Sequence, residues 1–314
     1  MFNWQGRTDT EDGAKGLRWH QVVNQSGDTP LPMLSLVGLA CDLGVQANKG
    51  RPGACNGPNA IREALANLPW HWNARLQDGG DIQAEQDLAA AQLHYANAVT
   101  EALRQQHVVL GLGGGHEIAW GSYQGLLNAL QHTSDEPQTI GIINFDAHFD
   151  LRRPAPHTSS GTPFRQIYNH CQQHGHAFHY ACLGVSKAAN TQALFDFANV
   201  TQTRYLLDTH CTLEAATALL TPMLQQIDQL YVTICLDAFP ASAAPGVSAP
   251  SALGIDVRFA INMLHYLAKQ QQPLNYKWTL CDIAEMNPGF DIDKRTARLA
   301  ARLGFEVADA IFEG

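Results

Sequence analysis

The chain has no run of apolar residues approaching the roughly 18 needed to cross a bilayer, so no membrane span is expected. Its 314 residues include seven cysteines, an odd number with no C-x-x-C pair. Thiols scattered in that way argue against a disulfide framework or a zinc ribbon and point to reduced core residues in a cytosol. Basic residues are also scarce, with 20 Lys and Arg against 29 Asp and Glu, a formal charge of −9. No Lys/Arg cluster is long enough to follow a phosphate backbone, which argues against nucleic acid as a partner. The N-terminal MFNWQGRTDTEDGAKG lacks the basic and apolar regions of a signal peptide. Without internal repeats or a Pro- or Ser-rich linker, the expectation is one cytoplasmic domain over 1–314, with 1–30 as an N-terminal extension.

What is present is a regular alternation. Short apolar runs start at Met33, His107, Thr139, His179, Leu230 and Lys277 and read as strands buried on both faces. Between them, residues 57–68, 84–106, 121–133 and 212–229 carry apolar side chains at helical spacing. Strand and helix in alternation predict a parallel sheet covered by helices on both faces, an α/β architecture. Long irregular stretches follow two strands, at 152–166 and 238–255. In open α/β sheets, sites gather at those carboxyl-end loops.

Four predicted strand ends carry metal-type donors. Residues 142–151, IINFDAHFDL, place Asp146, His148 and Asp150 at alternate positions, which an extended chain would turn to one face. Two carboxylates and an imidazole suit Mn²⁺ or a similar divalent ion. VVLGLGGGHEIAWG ends in His116 after three glycines; no Lys follows, so the glycines are read as letting the backbone turn tightly rather than as a phosphate cradle. ICLDAF presents Cys235 and Asp237, and LCDIAEMNP presents Asp282 and Glu285.

Together and in this order, G-G-x-H at 113–116, D-A-H-x-D at 146–150, P-G-x-S-x-P at 245–250 and E-x-N-P at 285–288 resemble the arginase–agmatinase–formimidoylglutamase superfamily of binuclear manganese hydrolases. WQGRTD with LRWHQ, GVQANKGRPGACNGPNAIREAL and TSSGTPFRQ look most like its formimidoylglutamase branch. The resemblance implies a three-layer α/β/α fold with a doubly wound, mostly parallel sheet, assembled as a trimer or hexamer. It implies two Mn²⁺ per subunit, one held by His116, Asp146 and Asp150 and the other by His148, Asp146 and Asp237, with Asp146 bridging. The implied reaction is hydrolysis of N-formimidoyl-L-glutamate to L-glutamate and formamide, in histidine degradation. A water shared by the two ions would become hydroxide near neutral pH. Asp150 would serve as general base and then acid, and Glu285 would pair with the cationic formimino group.

Two positions depart from the superfamily. Cys235 stands where a bridging carboxylate is usual; a thiolate there would ligate as a soft donor, or the residue is a buried strand thiol that does not ligate. Ser160 replaces the histidine that precedes the matching glycine in arginases and agmatinases, with His157 three residues earlier. For a substrate with two carboxylates, Arg51 and Arg165 are the expected anchors, since a guanidinium fork binds carboxylate at two points. Arg153 is a weaker candidate. A related amidine or guanidine hydrolase and a metal-depleted, non-catalytic homologue are the competing readings.

Overall fold

The computed structural model describes residues 2–26, 30–131 and 137–313. Eight strands form one sheet: β1 (Met33–Ala40), β2 (Arg75–Gln83), β3 (Val108–Gly113), β4 (Ile140–Phe145), β5 (His179–Val185), β6 (Arg204–Leu207), β7 (Gln229–Cys235) and β8 (Lys277–Ala284). Their order is β2-β1-β3-β8-β7-β4-β5-β6 and every pairing is parallel. The helices are α1 (Trp19–Val22), α2 (Leu43–Ala47), α3 (Gly57–Leu65), α4 (Leu88–Arg104), α5 (Ile118–Leu130), α6 (Pro163–His174), α7 (Gln192–Val200), α8 (Leu213–Leu224), α9 (Val257–Leu274) and α10 (Arg295–Glu313). The expected helix over 121–133 is α5, shifted towards its N-terminus; residues 132 and 133 lie outside the described part.

Successive strand residues face opposite sides, so each strand serves two cores. Leu110, Ile143, Val232 and Ile283 pack with α3, α8, α9 and α10. Val109, Ile142, Tyr231 and Leu280 pack with α4, α5, α6 and α7. This is the predicted three-layer arrangement with helices on both faces. Among the described residues, no helix is long and apolar enough to cross a membrane.

The six predicted strands are all present, and the structure adds two at the sheet's edges. β2 reads RLQDGGDIQ, too polar to signal a buried strand. Its carboxylates are held by Arg62 of α3, which is fully buried and reaches Asp78 at 2.9 Å and Asp81 at 2.5 Å. The neighbouring β1 carries Gly38 because a Cβ there would stand 1.8 Å from an Asp81 oxygen.

β3, β8, β7 and β4 are consecutive neighbours at the middle of the sheet. Their carboxyl ends are the four segments singled out above, so residues more than 160 apart in sequence meet at one edge.

Candidate metal centre

Each ligand is placed by its strand and by the turn that follows. β4 ends at Phe145, and 146–150 leave the sheet as a turn. The expected extended alternation does not occur, because Asp150 adopts a left-handed backbone (φ 47°) that folds its carboxylate back. Asn190 clamps this turn: its side chain accepts from the Phe149 amide (3.1 Å) and donates to the Ala147 carbonyl (2.8 Å). In the turn after β3, Gly114 and Gly115 do not need positive φ, contrary to the simple expectation for a tight turn. They are glycine for closeness. A Cβ on Gly114 would lie 1.7 Å from the Cys41 carbonyl oxygen, and one on Gly115 would lie 2.0 Å from Glu117 Oε2.

These turns bring two three-donor groups together, His116–Asp146–Cys235 and Asp146–His148–Asp237, with the donor atoms of each within 4.8 Å of one another. Asp146 belongs to both. His116 Nδ1 is 3.0 Å from Asp146 Oδ2 and 2.8 Å from Asp150 Oδ2, and His148 Nδ1 is 3.1 Å from Asp237 Oδ2. The six predicted ligands therefore converge. His116, Asp146, Cys235 and Asp237 are buried, while the His148 and Asp150 side chains keep 23% and 12% of their surface, which marks the open side of the centre.

Beneath these donors lies a row of which the sequence marked only Asp282. Gly111, Asp282, Thr233 and Asn144 sit side by side in register across β3, β8, β7 and β4. The last three are fully buried. Asp282, expected to point at the metal, instead accepts hydroxyls from Thr233, Tyr231 and Ser122. It lies on the face of the sheet that packs against α4 and α5, so its carboxylate supports the centre from below. Thr233 uses its single proton on Asp282, so its oxygen accepts from His116 Nε2–H at 3.0 Å. That holds a proton on Nε2 and leaves Nδ1 as the ring atom that faces the two carboxylates. Asn144 donates to Asp146 Oδ2 at 3.1 Å. The signal that finds this row is period two, since Asn144 and Thr233 each lie two residues before a candidate ligand, Asp146 and Cys235.

The donors fit a divalent cation. Burial opposes charge on His116, yet the carboxylates of Asp146 and Asp150 raise its pKa well above the ordinary value, so in the metal-free chain a proton on Nδ1 stands between them where an ion would. His116 Nδ1, Asp237 Oδ1 and Glu285 Oε2 are buried without a hydrogen-bond partner, the pattern expected of atoms arranged around an ion. The charges respond accordingly in the metal-free chain. Burial disfavours charge on His148, yet the carboxylates of Asp237 and Asp146 raise its pKa to about 12. Burial and the Asp146 charge push Asp150 up to about 6. Burial, with the surrounding carboxylates of Asp146 and Asp237, keeps the Cys235 thiol protonated well above the ordinary range.

Glu285 has one oxygen anchored on the His116 amide (2.9 Å) and its backbone N–H on the Gly114 carbonyl (2.8 Å). It too is left-handed, with φ 71°. Burial, followed by the charges of Asp237 and Glu117, raises its pKa to about 8.

The predicted substrate residues part company. Arg51 is used elsewhere: it binds the carbonyls of Val247 and Ser248 and lies 3.9 Å over the Phe290 ring, locking the P-G-x-S-x-P loop. Its guanidinium is thereby committed, which corrects its expected place among the anchors. Ser160 is buried and accepts from Asn48 at 3.3 Å. Arg165 and His157 line a cavity of about 650 Å³ that begins one residue past Asp150, at Leu151 and Arg152. Arg152, Arg153 and Lys49 line it too, with no acidic residue. Arg165 rests 3.4 Å over the Phe197 ring. A second cavity of about 590 Å³ opens against His148, with Lys187 and Asp208 in its wall.

Comparison with known proteins agrees with this geometry. The Arginase family model matches residues 33–309. The chain is 46% identical over 308 residues to a formimidoylglutamase of Hahella chejuensis, covering 97% of this chain and 94% of that protein. It is 46% identical over 327 residues to a formimidoylglutamase of Vibrio cholerae, covering 99% and 95%. Among solved structures, Trypanosoma cruzi formiminoglutamase with Mn²⁺ superposes with a TM-score of 0.76 at 24% identity, covering 88% of this chain and 92% of that one. Bacillus subtilis formimidoylglutamase gives 0.77 at 22%, covering 92% and 90%. At those identities the structural likeness speaks for the fold.

Proposed function

This chain belongs to the arginase family, and from that premise we propose that it hydrolyses N-formimidoyl-L-glutamate to L-glutamate and formamide, in the breakdown of histidine. The observation that carries the reading is a metal centre built of two donor groups sharing Asp146, with the chain running on from Asp150 into the wall of a cavity whose charged lining is entirely cationic. The substrate of such a site is an amidine bearing carboxylates.

His116, Asp146, Asp150 and Cys235 would hold one Mn²⁺, and Asp146, His148 and Asp237 the other. When bound, the pair supplies a water activated for attack at neutral pH. The chain's own groups do the rest. Asp150, partly exposed beside the centre, takes the proton of the attacking water and returns it to the departing nitrogen of glutamate. Glu285, held by one oxygen, turns the other towards the cationic formimino group and orients its carbon. Arg152, Arg153, Arg165 and Lys49 receive the two carboxylates. Arginine and agmatine carry a cationic amine that this lining repels, which favours formimidoylglutamate over guanidine substrates. The cytoplasmic setting, the single-domain organisation and the homo-oligomeric assembly, as a trimer or hexamer, belong to the same proposal.

The test is formamide release from N-formimidoyl-L-glutamate by the Mn²⁺-loaded protein, with arginine, agmatine and guanidinobutyrate in parallel. Turnover confined to the formimino substrate supports the proposal. Turnover of a guanidine, or of nothing, overturns it.

A further inference from the structure

The two donor groups of the centre are of different chemical hardness. Asp146, His148 and Asp237 offer oxygen and nitrogen; His116, Asp146 and Cys235 add sulfur. Sγ is not free to turn away. Cys235 is the last residue of β7, paired in register with Ala284 of β8, and is 1% exposed. All seven cysteines are free, so no disulfide removes its sulfur from the centre. A carboxylate in this position would bring two hard oxygens able to span two ions. A thiol brings one atom, which binds after its proton leaves to solvent, with a bond of about 2.3 Å to zinc against about 2.0–2.2 Å for oxygen. Thiolate favours thiophilic ions, and carboxylate with imidazole suits manganese.

We infer that Cys235 is a metal ligand and that it makes the two positions unlike: the one at His116, Asp146 and Cys235 selects a thiophilic divalent ion of the zinc or cobalt class over manganese by a wider margin than the one at Asp146, His148 and Asp237. The inference rests on the two-metal reading above. In the cell, then, the centre would hold two different metals wherever a thiophilic ion is within reach.

The experiment uses the full-length, metal-stripped protein and two readouts independent of activity. Titration with Co²⁺ is followed by the near-ultraviolet sulfur-to-cobalt charge-transfer band. Dialysis against Zn²⁺ with Mn²⁺ in excess is followed by metal analysis. The expected result is a band that saturates with one of two bound cobalt ions, and a first zinc per chain retained against a larger Mn²⁺ excess than the second. Cys235→Ser should abolish the band and weaken zinc at that position by more than the roughly 10–100-fold that loss of an outer partner costs. Cys235→Asp should bind two ions with no band and with the two positions alike in their preference for zinc, which keeps the test decisive if the serine variant folds poorly. Two cobalt ions bound by the parent protein without a band would overturn this inference while leaving the two-metal reading standing. Failure to bind any ion would overturn both.

Discussion

Thr233→Val tests whether the polar row beneath the ligands sets the chemistry above it. Valine matches threonine in shape but has no hydroxyl. It therefore removes the acceptor at 3.0 Å from His116 Nε2 and one of the three hydroxyls on Asp282. Nothing then holds the ring with its proton on Nε2 and Nδ1 turned towards Asp146 and Asp150, the orientation a ligand needs. Loss of such an outer partner costs about 10–100-fold in metal affinity, or roughly 1.4–2.7 kcal/mol. The hydrogen bond removed from the buried carboxylate destabilises the fold by a further ~1.5–3 kcal/mol. Calorimetric Mn²⁺ titration should show the step that involves His116 weakened by that factor, with the step at Asp146, His148 and Asp237 changed by only a few fold. Thr233→Ser, which keeps the hydroxyl, should bind as the parent does. If the valine variant binds both ions within about twofold of the parent, well inside the range for an outer partner, the coupling of Asp282 and Thr233 to His116 is wrong.

Metal affinity should rise with pH from 6 to 9, because in the metal-free chain His148, raised to about 12 by Asp237 and Asp146 against burial, holds a proton that an incoming ion displaces. The same shift gives the metal-free protein the opposite trend. A histidine raised from an ordinary value near 6.5 contributes stability fully present below that value and lost as pH climbs towards 12, so its thermal midpoint falls across the range while that of the loaded protein does not. Arg62→Ala should destabilise by about 3–5 kcal/mol in urea denaturation, since it leaves Asp78 buried without its counter-ion; a cost near zero would mean that the β2 carboxylates are satisfied by other groups. Replacing Arg152 and Arg165 together by alanine should raise KM at least tenfold with metal content unchanged, as expected of groups that bind substrate rather than react with it; an unchanged KM would remove the cavity from substrate binding.

Strand ends dominated what the sequence could disclose. β1 and β5 are legible to the residue because both faces are buried and no Asp, Glu, Lys or Arg interrupts either run. β2 and β6 are edges, paired on one side only, and their composition follows their contacts: Asp78 and Asp81 sit in a strand because Arg62, from a distant helix, neutralises them. The six donors that converge were readable because hard and soft donors at strand ends have few other uses. Thr233 and Asn144 were not, and Asp282 was read as a donor to the metal, since a polar residue inside an apolar run says nothing of its partner until the register of four strands is known. Asn190, which clamps the ligand turn, has no local pattern at all. Arg51 shows the reverse: its loop is near the centre, as expected, but Phe290 and two carbonyls compete for the guanidinium and hold it.

Asp150 and Glu285 both hold the left-handed backbone that side chains other than glycine adopt at a cost of about 1–2 kcal/mol. Glycine at either position would ease that strain and remove a carboxyl from a crowded, negatively charged pocket, so the inactive protein should be the better-folded one. A library sorted only for expression or heat resistance would drift towards glycine at these two sites and discard the enzyme. Engineering of this scaffold therefore has to select for turnover at every round.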